Sequence, residues 1–379
     1  MSNSTLKRLA GLVPTTYGYG RGVVAGAMAY LAERPDLEML WFQESHPPAE
    51  MLREWGAVGL LGIFSKHHPL DAFLALEVPI VNVSSTPFPS PVSNVGVDQR
   101  EVGRLAAEHL RSKGLPAFAY LGVHDFQFSI ERGRAYAEAL AGETVHTCTL
   151  PPRMWTWLEL LHAWVGALPK PCGVFCAGDN EARMLLSVCR TGGIAVPDEL
   201  AVLGANNEED LCMACSPALS SVPVRSHRIG FEAMELLVSR LEAPGRDPEN
   251  RAISPAPAVQ RASTDVMHRA EDPAISEALR YLRAHLHEGI GVEQIAQHYP
   301  GSRRTFELHF KKCMGHSPLA EIHAVRMERI CQLLRDTDLN LRDIAERSGI
   351  ATVNHLCAFF KKHRGESPGQ FRERVRREM

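Results

Sequence analysis

Along the first 270 residues, short apolar runs alternate with longer stretches whose apolar positions recur at helical spacing. The runs "LEMLWF" (37–42), "AVGLLGIF" (57–64) and "PIVNVSS" (79–85) have the composition of strands buried on both faces. "LAGLVPTT" (9–16) leads into a helix expected over residues 19–31. Further on, "REVGRLAAEHLRSKG" (100–114) reads as a helix closed by Gly114, and "AFAYLGV" (117–123) as a strand. Helix "SIERGRAYAEALAG", strand "TVHTCTL", helix "WLELLHAWVGAL", strand "CGVFCAG", helix "NEARMLLSVCRTGG" and strand "LAVLGAN" follow in turn. Strand–helix alternation of this kind predicts an α/β fold with parallel sheets. There are too many units for one small sheet, so two lobes with a cleft between them are expected.

Beyond residue 273 only the helical period remains. The frame F-K-K-x-x-G-x-S-P occurs at residues 310–318 and again at 360–368. Upstream of each copy stand Ile-Ala (Ile295-Ala296, Ile344-Ala345), a turn with glycine (Gly301, Gly349) and a helical run. Phe306 and Phe310 lie four apart on one helical face, as do Leu356 and Phe360. A short helix, a glycine turn and a second helix make a helix-turn-helix. Gly315 and Gly365 suit the left-handed position that ends a helix, and Ser317-Pro318 and Ser367-Pro368 suit the start of the next. Residues 318–337 then form one long helix joining the two units, with Ile322, Val325, Ile330, Leu333 and Leu334 at helical spacing. One helix-turn-helix reads a few base pairs in one major groove. Two on a stiff connecting helix can enter successive grooves about one turn apart.

The charge distribution agrees with this division. The 379 residues carry a net charge of −3, but from Glu271 onward 18 Lys and Arg face 15 Asp and Glu, against 23 and 29 before it. An acidic body with a mildly basic tail fits a C-terminal nucleic-acid module. Nine scattered cysteines predict reduced thiols rather than a disulfide framework. Cys212 and Cys215 form a C-x-x-C without a second pair or a suitably spaced histidine, so buried inert thiols are expected there. No stretch reaches the apolar length of a membrane span, and "MSNSTLKRLAGLVP" lacks the apolar run of a signal peptide, so a cytoplasmic protein is expected. The glycine-rich "TYGYGRG" is G-x-G-x-G and does not match the dinucleotide fingerprint, and no G-x-S-x-G nucleophile elbow occurs. Neither an enzyme nor a cofactor is expected.

Residues from about 273 to 379 resemble the DNA-binding domain of AraC-type bacterial transcription regulators, on the strength of the tandem units and their Gly-x-Ser-Pro ends. That resemblance makes residues 302–312 and 352–362 the reading helices. It places Arg303, Arg304 and Glu307 of the first, and Thr352, Asn354 and His355 of the second, towards base edges. Lys311, Lys312, Lys361 and Lys362 would meet phosphates. Many AraC-type members carry a basic residue two positions before the phenylalanine. Here Leu308 and Ala358 stand there, and base contacts are not expected from them.

Residues 7–266 resemble the LacI/GalR-type sugar-sensing core, itself similar to periplasmic binding proteins. The phrases that carry the resemblance are "VGVDQREVGRLAAEHLRSKG", "ERGRAYAEAL", "AGDNEARMLLSVCRTGGIAVPDELAVLGANNE" and "LSSVPV…IGFEAMELLVSRL", complete and collinear. Such a core normally follows an N-terminal DNA-binding headpiece. The exchanged layout here, a core at 1–266, a linker at 267–273 and a DNA module at 274–379, resembles the xylose-operon activators of bacteria. By that resemblance Tyr19, Arg21, Ser84, Arg132, Trp155, Asp179 and Asn206 line the ligand cleft, with Arg132 and Asp179 holding sugar hydroxyls. The strand-end aspartate of the pattern G-x-D is Asn206 here. A homodimer on double-stranded DNA with repeated half-sites, responding to xylose or a related monosaccharide, is the expected arrangement. A ligand-blind core on a constitutive DNA binder, or a solute-binding protein, are the alternatives.

Overall fold

The computed structural model describes residues 6–42, 47–64, 70–151, 157–243, 245–266, 273–337 and 339–378. The chain divides into two compact units, Met1–Val266 and Met267–Met379.

The first unit holds two wholly parallel sheets. One contains β1 (Lys7–Leu12), β2 (Leu37–Phe42), β3 (Ala57–Gly62), β4 (Ile80–Asn82) and β5 (Ser93–Val97). The other contains β6 (Phe118–Val123), β7 (Val145–Leu150), β8 (Cys172–Cys176), β9 (Leu200–Asn206) and β10 (Ser220–Pro223). The last strand, β11 (Asn250–Ile253), returns to the first sheet, giving the orders β11-β5-β4-β3-β1-β2 and β10-β9-β8-β6-β7. Helices α1 (Gly18–Leu31), α2 (Ala49–Trp55), α3 (Leu70–Leu74), α4 (Gln99–Arg111), α5 (Gln127–Ala139), α6 (Trp157–Ala167), α7 (Asp179–Thr191), α8 (Glu209–Ala214) and α9 (Ser226–Glu242) connect the strands.

The chain crosses between lobes three times. After β5 it enters α4, which packs on β8, β9 and β10 of the other sheet. After β10 it enters α9, which packs back on β3, β4 and β5. After β11 it enters a short 3-10 turn, Ala262–Thr264, seated on β9 and β10. One apolar cluster spans both lobes, joining Leu9, Val81 and Val95 to Tyr120, Phe175 and Leu203. Separate clusters fill the outer face of each sheet. β5, β10 and β11 are absent from the strands expected above. Each is five residues or fewer and rich in Ser, Asn, Gly or Arg, and its place is set by a partner strand.

The second unit is helical: α10 (Pro273–Ala284), α11 (Val292–Ala296), α12 (Arg303–Met314), α13 (Pro318–Asp336), α14 (Leu341–Arg347), α15 (Val353–Arg364) and α16 (Pro368–Glu378). The repeated frame folds the same way twice. Ser302 and Thr352 cap α12 and α15 by accepting the amide hydrogens of Thr305 and His355. Gly315 and Gly365 close those helices with φ 76° and ψ −9° in both copies. Ser317, followed by Pro318, caps α13, and Ser367 accepts from the Gln370 amide at the start of α16. Two apolar cores result. Phe306 and Phe310 belong to the first with Ile322 of α13, and Leu356 and Phe360 to the second with Ile330, Leu333 and Leu334 of the same helix. Half-buried Arg326, midway along α13, donates through Nε to the Ser348 carbonyl at 3.0 Å and through Nη2 to the Ile290 carbonyl at 3.4 Å. It thereby ties one repeat to the other. The linker expected at residues 267–273 lies outside the described residues except for Pro273, which begins α10.

Candidate ligand cleft and nucleic-acid face

In parallel α/β sheets, ligands bind beyond the carboxyl ends of strands. Arg132 of α5 stands at such an end in the second lobe and is 2% exposed. Its Nε donates to the Gln99 amide oxygen Oε1 at 2.7 Å, and Nη1 donates to the Ala177 carbonyl after β8. Both Nη atoms reach Asn206 Oδ1 only at 3.4 to 3.5 Å. The Phe128 ring lies 5.1 Å from its guanidinium carbon. Burial pulls the arginine pKa down, and it pushes the carboxyl of half-buried Glu181 up. The second lobe therefore holds a desolvated cation with long contacts to a neutral amide.

Asp179, at the first position of α7, is wholly buried. Its two oxygens accept from Ser221 Oγ at 2.5 Å and from the Glu208 amide at 2.8 Å. Burial, more than those two bonds can offset, raises its carboxyl to about 7. One oxygen is thus engaged by β10 and the other by the turn after β9, where Asn206 and Asn207 adopt φ 111° and 53°. Arg261 Nη1 holds the Asn207 side chain at 2.9 Å. Positive φ in two successive non-glycine residues costs energy unless neighbours fix it, and asparagine tolerates it best.

That turn aims Glu208 across the cleft. Its side chain, 9% exposed, accepts from Arg21 Nη2 at 2.9 Å, the arginine belonging to α1 of the other lobe. Arg21 Nη1 also donates to the carbonyls of Thr15 and Thr16. Gly18 leaves room for this carboxylate: a Cβ there would lie 2.0 Å from the Glu208 carboxyl carbon and would push that side chain aside. Tyr19 donates its hydroxyl to the Val83 carbonyl at 2.7 Å, and burial pushes its phenol above the ordinary range although the Arg132 charge opposes this. Ser84 is spent locally, its hydroxyl bonded to the Thr86 carbonyl and amide. Tyr19, Arg21, Arg132 and Asn206 are therefore brought to one region, with Asp179 buried beneath it. Trp155 lies outside the described residues. Glu208, Glu181 and Phe128 were not among the expected site residues. Only the position of Glu208, two residues past Asn206, hinted at its role. All nine cysteines are free, and burial raises the thiols of Cys212 and Cys215.

In the helical unit the outer faces of α12 and α15 are solvent-facing. Arg303 is engaged by Glu307 at 2.9 Å and by Glu293 at 2.8 Å. Arg304 is exposed and makes no ion pair among the described residues. Asn354 and His355 are exposed, and the Thr352 hydroxyl is occupied in capping α15. Lys311 and Lys361 stand exposed in the last turns, where cations oppose the helix dipole favourably.

Residues 107–264 match the family described as periplasmic binding protein-like domain, and residues 295–374 match a helix-turn-helix domain. The xylose operon regulatory protein of Haemophilus influenzae is 31% identical over 294 residues, which cover 73% of this chain and 74% of that protein. This chain belongs to the xylose operon regulatory protein family. The Escherichia coli K12 member is 28% identical over 381 residues, covering 97% of each chain. The solved structure of a family member described as a xylose-binding transcription activator superposes with a TM-score of 0.74 at 27% identity, again over 97% of each chain. As a member of the xylose operon regulatory protein family, the chain is a DNA-binding transcription regulator with an α/β core of two parallel sheets followed by a tandem helix-turn-helix domain. No described helix is long and apolar enough to cross a membrane.

Proposed function

We propose that the effector is D-xylose or a related aldopentose held between the two lobes, and that a homodimer of this chain binds an operator with repeated half-sites inside the cell. The observation that carries the sugar reading is the buried guanidinium of Arg132, whose contacts to Asn206 are long enough for a hydroxyl to improve on them. A sugar oxygen accepting from Arg132 would replace a poor pair by a charge-assisted one. Phe128, on the same guanidinium, offers a flat apolar surface for the C–H face of a ring. Tyr19 and Arg21 approach from the first lobe, so a ligand here touches both halves. Asp179 serves by fixing the Asn206–Glu208 turn from below rather than by touching the sugar.

On the DNA, Arg304, Asn354 and His355 read base edges, Arg suiting guanine and Asn suiting adenine. Arg303 and Glu307 are already paired with each other and act together as a buttress or exchange partners on contact. Thr352 holds the helix start in place, and Lys311 and Lys361 meet phosphates. The test of the sugar reading is a thermal-shift titration of the full chain against a panel of aldopentoses. Ligand at 100 times its dissociation constant adds about 2.7 kcal/mol to stability, and Arg132→Ala should abolish the shift. A panel in which no sugar raises the melting temperature overturns this reading.

A further inference from the structure

The exposed face of α12 carries one large apolar side chain, and nothing in the sequence reading gave it a task. Leu308 is 65% exposed. At 3.6 residues per turn it lies about 200° around the helix from Phe306 and about 160° from Phe310, opposite both core anchors. It therefore sits at the centre of the outward face. Arg304 stands one turn before it on that face, and Lys311 and Lys312 one turn after, all exposed. The resemblance to AraC-type regulators implies no base contact from Leu308, which lacks a charge, but its exposure and its cationic frame point the other way.

We propose that Leu308 packs against the C5-methyl group of a thymine and so selects for thymine in the half-site read by the first helix-turn-helix. This rests on the reading of α12 as a recognition helix. The reasoning is one of chemical fit. Leaving a leucine in water among three cations gives no solubility and no folding advantage, whereas burying it is favourable. The cations frame a polyanion, and the edge of the DNA major groove offers one apolar group, the thymine methyl. The equivalent position of α15, fifty residues on, is Ala358, also exposed but too short to reach as far. The methyl preference should accordingly belong to the segment read by the first unit.

The test uses full-length protein on a binding site first located by footprinting the DNA upstream of its gene. Each thymine in the protected segments is replaced singly by deoxyuridine, which removes the methyl and leaves pairing intact. Wild type should lose about fourfold in affinity at one thymine per half-site, the factor that ~0.8 kcal/mol of hydrocarbon burial sets at 25 °C. Leu308→Ala should bind the unmodified site about fourfold more weakly and show no further loss at that uracil. Leu308→Arg should regain affinity with a steeper salt dependence and no methyl preference. An unchanged melting temperature for both variants verifies the fold. The proposal is overturned if no uracil weakens the wild type, or if Leu308→Ala keeps the same methyl sensitivity. If no site-specific footprint exists at all, the recognition-helix reading fails first, and that outcome is distinct.

Discussion

Arg132 of α5 and Asp179 of α7 are both buried, yet burial acts on them in opposite directions. A buried guanidinium keeps its charge and needs acceptors, whereas a buried carboxyl can protonate. Asp179, raised to about 7, has a pH signature. Its folded pKa lies above its unfolded value, so its contribution to stability is full below about pH 4 and is lost as pH rises through 7. Urea unfolding of Asp179→Asn should therefore show a flatter stability profile between pH 4 and pH 7 than wild type. An identical slope would exclude Asp179 as the titrating group. On the DNA face, Arg304→Ala should cost about 1–3 kcal/mol at one base pair, whereas Lys361→Ala should weaken all sequences alike and lower the salt slope by about 1. Competition binding with single-base variants at two salt concentrations separates the two.

At the scale of elements, the tandem repeat depends on a close approach that only one residue type permits. Gly349 has φ 66°, and a Cβ there would lie 2.0 Å from the Leu286 carbonyl of the other repeat. Gly349→Ala should destabilise the helical unit by more than ~1 kcal/mol, read as a lower melting temperature of the DNA-binding unit in the full chain. A variant as stable as wild type would show that the two repeats are not locked. The same scale shows what pattern reading could and could not reach. β2 and β9 coincide with the runs "LEMLWF" and "LAVLGAN", because short apolar runs announce themselves locally, although β9 is buried nearly throughout and β2, at the edge of its sheet, buries only Leu37. β11, "NRAI", has one buried position in four, and it is a strand because β5 lies beside it, more than 150 residues back in the chain. α12 and α15 were readable to within a residue or two because their caps repeat.

The whole molecule joins a cleft to a reading head, and the residues that define the cleft come from far apart. Arg132 was found from its place in the phrase "ERGRAYAEAL". Glu208 was not, since its partner Arg21 lies 187 residues away and only folding brings them together. Because this ion pair links the lobes, Glu208→Gln should loosen the sugar-free core and change the sugar concentration needed for half-maximal response. Sugar titrations followed by DNA-binding anisotropy measure that midpoint, and an unchanged midpoint would remove Glu208 from the account. The most direct test of the whole is a hydroxyl-radical footprint of the full chain on the DNA upstream of its gene, with and without saturating D-xylose. Each copy should protect two major-groove segments about 10 base pairs apart, and the sugar should change occupancy at fixed protein concentration by about fivefold or more. Protection of one segment per copy, or a footprint indifferent to every aldopentose, would contradict it.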